Sequence, residues 1–306
     1  MSGRGRVSLI TVARAGRREL TGASPGYPFK EAIPSFNLSS RRPLSYTVEM
    51  MAEKASGEKT DWLYLGGENM ASRQRATESA GVRAETDHLQ SPDPLISVSL
   101  RIVSGDPDLS ADRLSVSFSE TGPDCGAAEP EDEITSAVEL DVPFRSQRSE
   151  DESIAMSICS PTSVCAIMEY YGRKVDTAEF AMRARDPETG MFGIWHRAVQ
   201  AAYAEGFSGL VRHFSRMSEA WDLLKRGVPV AACIVYGRGE LTGSWTEESE
   251  GHVTVISGFD GRGRVTVCDS AAPPGHGPTK YSLAEFAEAW LRRAGGVGYV
   301  IAPKLQ

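Results

Sequence analysis

The sequence predicts an α+β protein in which an N-terminal β-sandwich precedes a domain with a helical layer packed on an antiparallel sheet. With 306 residues, of which 41% are apolar, the chain is long enough for two cores. Short alternating segments fill its first part, whereas helical patterns precede strand patterns in its second part. We therefore divide the chain into a tail (1–26), a β-sandwich domain (27–121), a linker rich in Gly, Pro and acidic residues (122–137) and a C-terminal domain (138–306).

Four segments of the first domain alternate between apolar and polar residues, as half-buried strands do. They cover 45–53, 61–67, 95–103 and 114–120. The side chains expected to share one core are Leu100 and Ile102 and, on a partner strand, Leu114, Val116 and Phe118. Trp62 and Tyr64 are candidates for binding a glycan or a peptide, although aromatic residues in strands more often belong to a core.

Charge and composition argue against several classes of partner and cofactor. The net charge of -8 argues against broad binding to the phosphates of nucleic acid, which needs clustered Lys and Arg. The five cysteines are an odd number without CxxC spacing and suggest neither a disulfide framework nor a zinc site. No run approaches the roughly 18 apolar residues of a membrane-spanning helix. We predict no nucleic acid partner, no transmembrane segment and no metal or organic cofactor.

The N-terminus allows two interpretations. Basic residues precede a short apolar run at 7–13, and the Ala-Arg-Ala at 13–15 has the small-x-small form of a cleavage site, so a weak signal peptide can be drawn. Ser8 and Thr11 interrupt the run, which favours a short disordered or strand-forming tail. We therefore expect a cytoplasmic protein, with export through a weak N-terminal signal as the alternative.

A cysteine at a predicted helix start is the strongest candidate for a nucleophile. In ICSPTSVCAIMEYYG (158–172), apolar residues repeat at helical spacing, Pro161 suits the first turn and Gly172 suits the position just past the end. Cys159 then lies at the N-terminal edge of the helix. Unpaired backbone N–H groups and the helix dipole at that edge favour a thiolate over a thiol.

The other cysteines fit structural roles. Cys165 falls near the side of the same helix that is opposite Cys159, and Cys233 lies within an apolar strand. Strand alternation makes Cys268 face away from Asp269, the next residue. These three are interpreted as small buried hydrophobic residues, and Cys125 falls in the linker.

A base and an acid are predicted on two adjacent strands. Residues 252–259 and 264–269 alternate, and the Asp-Gly at 260–261 signals a two-residue hairpin turn. Such a turn would put His252 directly opposite Asp269. A turn shifted by one residue would leave the two side chains diagonal on one face, whereas a three-residue loop would put them on opposite faces.

These motifs resemble, in the same order, those of papain-like bacterial cysteine peptidases of the bacteriocin-leader-processing type, cysteine peptidase family thirty-nine. The Gln that precedes the nucleophile in that family matches Gln147, and the resemblance covers 138–306. The helix start CSPTS is similar to that of one bacterial branch, in which an accessory β-domain comes first. The segments FKEAIPSF, WLYLGG and SRQRA followed by ETDHL resemble that domain. Asp269-Ser270 stands where the branch usually has Asp-Pro.

The resemblance implies a papain-like fold and a cysteine-type endopeptidase that acts on a peptide or protein. Cys159 would attack the peptide carbonyl and form an acyl-enzyme, His252 would carry the proton, and Asp269 would orient the imidazole. Gln147 and the Cys159 backbone N–H would bind the oxyanion. Two alternatives remain, namely acyl transfer or deamidation on the same thiol, and a non-catalytic peptide-binding protein.

A loop before the predicted base is the candidate for substrate specificity. Residues 237–251 lack periodicity, contain several carboxylates and end next to His252. Within this loop Trp245, Glu247 and Glu248 are candidate substrate-binding residues, as is Trp195 at a predicted helix start. A solvated acidic loop without a role is the simpler interpretation.

Overall fold

A computed structural model describes residues 6–12, 18–69, 76–120 and 134–304 and contains two antiparallel sheets. The first sheet consists of β1 (Val7–Val12), β2 (Glu19–Ala23), β3 (Phe29–Ser39), β4 (Tyr46–Lys54), β5 (Leu63–Glu68), β6 (Glu78–Ser79), β7 (Val82–Ala84), β8 (Leu89–Val103) and β9 (Ser110–Ser119). The main pairing order is β1-β9-β3-β8-β4-β5, and β2 and β7 also pair with β8.

The first sheet encloses one hydrophobic core. The five side chains predicted to share it, at 100, 102, 114, 116 and 118, all belong to it. The strands that carry them, β8 and β9, were expected to pair with each other. They do not, because β3 lies between them. Trp62 is half-buried beneath the guanidinium of Arg101, whose Cζ lies 3.9 Å from the centroid of the Trp62 ring. Tyr64 Oη donates to Glu188 Oε1 at 2.6 Å. A ligand of this domain therefore stays a prediction.

Two strands of this sheet fall in the stretch that the sequence assigns to a tail. β1 pairs antiparallel with β9, from Val7 opposite Ser119 to Val12 opposite Leu114, and β2 pairs with β8. Most of the apolar run of the weak signal sequence forms β1, whereas its Ala-Arg-Ala at 13–15 lies outside the described residues, as does most of the linker with Cys125. The domain boundaries stay a prediction.

The second sheet belongs to the C-terminal part of the chain. Its strands are β10 (Val138–Glu139), β11 (Phe207–His213), β12 (Val230–Tyr236), β13 (Ser249–Phe259), β14 (Arg264–Cys268), β15 (Thr279–Ser282) and β16 (Val297–Pro303), in the order β11-β16-β12-β13-β14-β15 with β10 on β13. The helices are α1 (Glu152–Ala155), α2 (Cys159–Tyr170), α3 (Thr177–Ala184), α4 (Trp195–Ala204), α5 (Met217–Lys225) and α6 (Leu283–Ala287), which continues into a π-helical segment (Glu288–Arg293). The α+β prediction is confirmed.

Helices cover both faces of the second sheet. One core joins α2, α3 and α4 to the face that carries Cys233 and Val255, and another joins α5 and α6 to the face that carries Ala232 and Ile256. The single helical layer predicted from the sequence is therefore accompanied by a second one. Burial on both faces also explains why β12 is apolar along nearly its whole length.

Side-chain amides join the two sheets. Gln200 on α4 bonds both backbone groups of Leu38, accepting from its N–H at 2.7 Å and donating to its carbonyl at 2.9 Å. Asn37 on β3 bonds Gly209 on β11 in the same two-sided way, at 3.0 and 3.3 Å. Because these amides satisfy buried backbone groups that water cannot reach, the two sheets are fixed against each other.

Within the described ranges, the chain contains no helix with the length and apolar character needed to span a membrane.

Candidate active site

The nucleophile candidate is the first residue of α2. Ile158 precedes it as the N-cap and makes no side-chain capping hydrogen bond, so the N-cap side chain does not occupy the free N–H groups of the first turn. The helix is fixed to the sheet by Ser160, whose hydroxyl lies 3.0 Å from Tyr299 Oη, and by Ser163, which donates to the Val253 carbonyl at 2.9 Å. Cys159 itself is half-buried. Its sulfur is thus held close to the strand that carries His252.

The turn between β13 and β14 is longer than predicted. Three residues, 261–263, separate Asp260 from Arg264, whose carbonyl accepts from the Asp260 N–H at 3.2 Å. The Asp260 carboxylate accepts from the N–H groups of Arg262 and Arg264 at 2.7 and 3.0 Å, and Gly261 and Gly263 both adopt positive φ. These interactions stabilise the wider loop, and the predicted two-residue turn is wrong.

A β-bulge restores the shared face. The pairing of Gly258 with Thr266 changes to a pairing of Ile256 with Val267, which leaves Ser257 as the extra residue on β13. A three-residue loop alone would turn His252 and Asp269 to opposite faces, but the bulge shifts the register by one and cancels this effect. The two residues lie diagonally on one face, as the alternative register predicts.

The imidazole and the carboxylate are in direct contact. His252 Nε2 donates to Asp269 Oδ1 at 2.7 Å, which leaves Nδ1 for the hydrogen bond between His252 and Cys159. Asp269 also accepts from Tyr281 Oη at 2.7 Å and from the Ala271 N–H at 2.9 Å. Both His252 and Asp269 are buried. The carboxylate is therefore held by three donors and cannot turn away from the ring.

Three pKa shifts describe one coupled system. Burial raises the pKa of Cys159, but the hydrogen bond and charge of His252 and backbone N–H groups outweigh burial and lower that pKa below 9.0. Burial lowers the pKa of His252, yet the charge and hydrogen bond of Asp269, with those of Cys159, raise it well above 6.5. Burial raises the pKa of Asp269, and the charge of His252 with the hydrogen bonds lowers it below 3.8. Together these shifts favour a Cys159 thiolate beside a His252 imidazolium.

Gln147 lies in a 3₁₀ turn next to the segment that follows the acid. Its backbone N–H donates to the Ser270 carbonyl at 2.9 Å, and its Oε1 accepts from Ser270 Oγ at 2.7 Å. The side chain is buried. The predicted oxyanion residue is therefore a buried side chain and not a surface glutamine.

The other described cysteines lack these features. Cys165, Cys233 and Cys268 are buried, as predicted, and burial raises the pKa of their thiols to about 12, 12 and 11 respectively. In the described part of the chain, no three His, Cys, Asp or Glu side chains come together as a metal site would require.

The acidic loop is shorter than predicted and partly neutralised. β13 begins at Ser249, paired with Tyr236, so the loop covers 237–248 and His252 is the fourth residue of the strand rather than its start. Arg238 forms an ion pair with Glu247, and Glu240 forms one with Arg293. Glu248 is exposed.

Trp245 is held in place within this loop. Its Nε1 donates to Thr279 Oγ1 at 3.0 Å, and its ring meets His276 edge to face at 4.4 Å. Its carbonyl accepts from Arg148 Nη2 at 3.1 Å, and Arg148 follows Gln147 in the sequence. The loop therefore borders the site on the side of Gln147.

Trp195 lies between the two sheets at the start of α4. Its ring stacks on His88 from the first sheet, with centroids 5.7 Å apart and an angle of 25°. It also forms a hydrogen bond with Cys233, and Cys233 lies close enough to Cys159 for their charges to interact. Trp195 thus lies near the nucleophile through Cys233, whereas the neighbouring His196 packs in the interface beside Leu65 and Phe36.

Two residues that sequence reasoning missed contact the candidate site. Tyr281 follows a loop rich in Pro and Gly, and Ser270 carries no motif of its own. Tyr281 reaches Asp269 through the pairing of β14 with β15, which sets Val265 opposite Tyr281, and no pattern within its own segment indicates this contact.

The sequence model of the family described as Peptidase_C39 like family matches residues 139–297. A crystal structure of a C39-like peptidase from Bacillus anthracis is 19% identical, with a TM-score of 0.43, over 56% of this chain and all (100%) of that one. The peptidase domain of Streptococcus ComA, a bifunctional ABC transporter of a quorum sensing pathway, is 16% identical, with a TM-score of 0.38, over 53% of this chain and 99% of that one. None of the curated proteins matches the chain. The matched residues include Gln147, Cys159, His252 and Asp269.

Proposed function

This chain belongs to the Peptidase_C39-like family and is a cysteine-type peptidase, and we propose that it cleaves peptide bonds through Cys159, His252 and Asp269. The observation that carries the proposal is the pair of hydrogen bonds that links Cys159 to His252 and His252 to Asp269. The 2.7 Å contact between the ring and the carboxylate, together with pKa shifts that agree in sign, supports a charged thiolate–imidazolium pair. Cys159 is a half-buried residue beside a buried base, which supports access of a peptide carbonyl to the nucleophile.

The proposed reaction proceeds in two steps. The Cys159 thiolate adds to the peptide carbonyl carbon, and the resulting oxyanion accepts hydrogen bonds from Gln147 Nε2 and the Cys159 N–H. His252 gives its proton to the leaving amine as the C–N bond breaks, which leaves a thioester on Cys159. His252 then takes a proton from water, the hydroxide oxygen attacks the thioester, and the thiolate leaves. Asp269 keeps the imidazole oriented throughout.

A digest of an unbiased peptide library tests this proposal. Wild type should release new peptide N-termini, Cys159→Ala should release none above the level without enzyme, and Cys165→Ala should remain active. Cys165 is the matched control because it is a thiol of the same helix that is fully buried in the core. Cleavage by Cys159→Ala at the wild-type rate would contradict the proposal.

Added amines distinguish hydrolysis from acyl transfer on the same thiol. Hydrolysis should yield free carboxyl termini even with excess amine, because water resolves the thioester. A product in which the amine replaces water at most cleavage sites would indicate an acyltransferase. A protein that binds library peptides without changing them, and whose Cys159 does not react with an electrophilic peptide, would be a non-catalytic binder.

A further inference from the structure

Ser270 connects the acid of the site to the proposed oxyanion residue. It follows Asp269 directly, and its hydroxyl donates to Gln147 Oε1 at 2.7 Å. Ser270 and Gln147 are 2% and 3% exposed, so water competes little for this bond. The backbone repeats the link, because the Gln147 N–H donates to the Ser270 carbonyl at 2.9 Å. The Gln147 amide is therefore restrained at both its backbone and its side-chain oxygen.

Fixing the oxygen of this amide also fixes its donor end. A side-chain amide has one acceptor oxygen and one NH₂ group on opposite branches, so a donor on Oε1 determines where Nε2 points. In the part of the chain that the structure describes, no group accepts from Gln147 Nε2. Nε2 is not one of the buried side-chain atoms that lack a partner, so this nitrogen keeps some exposed surface. An oriented and unoccupied donor is what an oxyanion site requires.

We propose that Ser270 is a positioning residue that holds the Gln147 amide with its NH₂ group toward the oxyanion of the tetrahedral intermediate. The inference rests on the proposed function. Without the Ser270 hydroxyl, the two ends of the amide would no longer be distinguished, and the acceptor oxygen could face the oxyanion. Ser270 touches neither the substrate nor the nucleophile in this account, and it acts only through Gln147.

The turn 269–272 serves both halves of the site. Asp269 Oδ1 accepts from the Ala271 N–H at 2.9 Å, and the Asp269 carbonyl accepts from the Ala272 N–H at 3.0 Å. Ser146 Oγ, next to Gln147, donates to the Ala272 carbonyl at 2.6 Å. One short segment therefore orients His252 through its carboxylate and Gln147 through the next residue.

Acylation of Cys159 by p-nitrophenyl acetate tests the inference, because it forms an oxyanion. We expect Ser270→Ala to slow the burst of p-nitrophenolate by about 10-fold at an unchanged half-saturating ester concentration, since one neutral hydrogen bond is lost. Ser270→Thr, which keeps the hydroxyl, should stay near the wild-type rate. Gln147→Ala with Ser270→Ala should be no slower than Gln147→Ala alone. Alkylation of Cys159 by iodoacetamide forms no oxyanion and should proceed at the wild-type rate in every variant.

The controls separate positioning from folding and from the proposed function. Ser115→Ala removes a fully buried serine hydroxyl of the first sheet, which lies 3.0 Å from Thr11 Oγ1, and should not alter the burst. The inference would be overturned if Ser270→Ala gave a burst as fast as wild type, or if the two single-variant losses of burst rate multiplied in the double variant. An equal loss in the rate of alkylation would also overturn it. A wild-type protein without any burst dependent on Cys159 would overturn the proposed function and the inference with it.

Discussion

His252 and Asp269 lie diagonally across the β13–β14 hairpin, with Nε2 2.7 Å from Oδ1, because the bulge at Ser257 cancels the odd length of the turn. The contact is buried, and Tyr281 and the Ala271 N–H occupy further lone pairs of the carboxylate. The negative charge of Asp269 therefore acts on the imidazole with little screening, and this determines how the site responds to pH.

Asp269→Asn should slow peptide hydrolysis by orders of magnitude, at most about 10⁴-fold, with little change in substrate binding. Loss of the carboxylate charge lowers the pKa of His252, so the imidazolium loses its proton at lower pH. The alkaline limb of kcat/KM should therefore move to lower pH, which a pH–rate profile measures. Asp222→Asn, at an exposed position on α5, is the matched control. Unchanged alkaline limbs in both variants would show that Asp269 does not govern the base.

His196 should make the fold less stable in acid. Burial lowers its pKa to about 4, so between pH 6.5 and 4 the unfolded state binds the proton and the folded state does not. The contribution of His196 to the free energy of unfolding is fully present above pH 6.5, and it falls by about 3 kcal/mol as the pH drops to 4. Urea unfolding of wild type and His196→Gln at both pH values measures this contribution.

His276→Gln, at an exposed histidine, is the control for this measurement. Because His196 packs against β3 and β5, the loss of stability at low pH should appear first in contacts between the two sheets. An equal dependence of stability on pH in wild type and His196→Gln would assign the acid sensitivity to other groups.

The acidic loop at 237–248 should favour substrates with Lys or Arg near the scissile bond. Glu240 and Glu247 are paired with arginines, so the preference should depend mainly on the exposed Glu248 and on the exposed Glu250, which follows the loop at the start of β13. It should weaken at high salt, since the Debye length shrinks from about 10 Å at 0.1 M to about 3 Å at 1 M. The rate ratio of basic to acidic peptides measures it.

Glu248→Gln/Glu250→Gln should lower this ratio at low salt and leave it unchanged at high salt. Glu19→Gln/Glu58→Gln, which removes an exposed carboxylate of β2 and one of the connection between β4 and β5, should have no effect. A wild-type ratio near one, or a ratio that neither salt nor the loop variant alters, would make this loop a solvated surface without a role in specificity.

Local patterns predicted much of the scaffold. The start of α2 at Cys159, the start of α4 at Trp195 and the strand that carries His252 follow from apolar periodicity and from Gly and Pro positions. These signals arise within one segment and need no knowledge of its neighbours.

The remaining features depend on distant segments. The bulge at Ser257 is set by pairing with β14, and the contact of Tyr281 with Asp269 needs a third strand that follows an irregular loop. The amides of Asn37 and Gln200 bond backbone groups more than 150 residues away, so no local pattern indicates them. Ser270 was visible only as a departure from a motif, because its role depends on where Gln147 lies.

The central claim is that Cys159 is an activated thiolate, and the pH dependence of its alkylation by iodoacetamide, mapped by mass spectrometry, tests this claim most directly. Cys159 should react first, with an apparent pKa below 9.0, while Cys165, Cys233 and Cys268 stay unmodified at neutral pH. His252→Ala should move the Cys159 titration to higher pH, because the partner charge is lost. A Cys159 that titrates at or above 9.0 in wild type, or another cysteine that reacts first, would contradict the account.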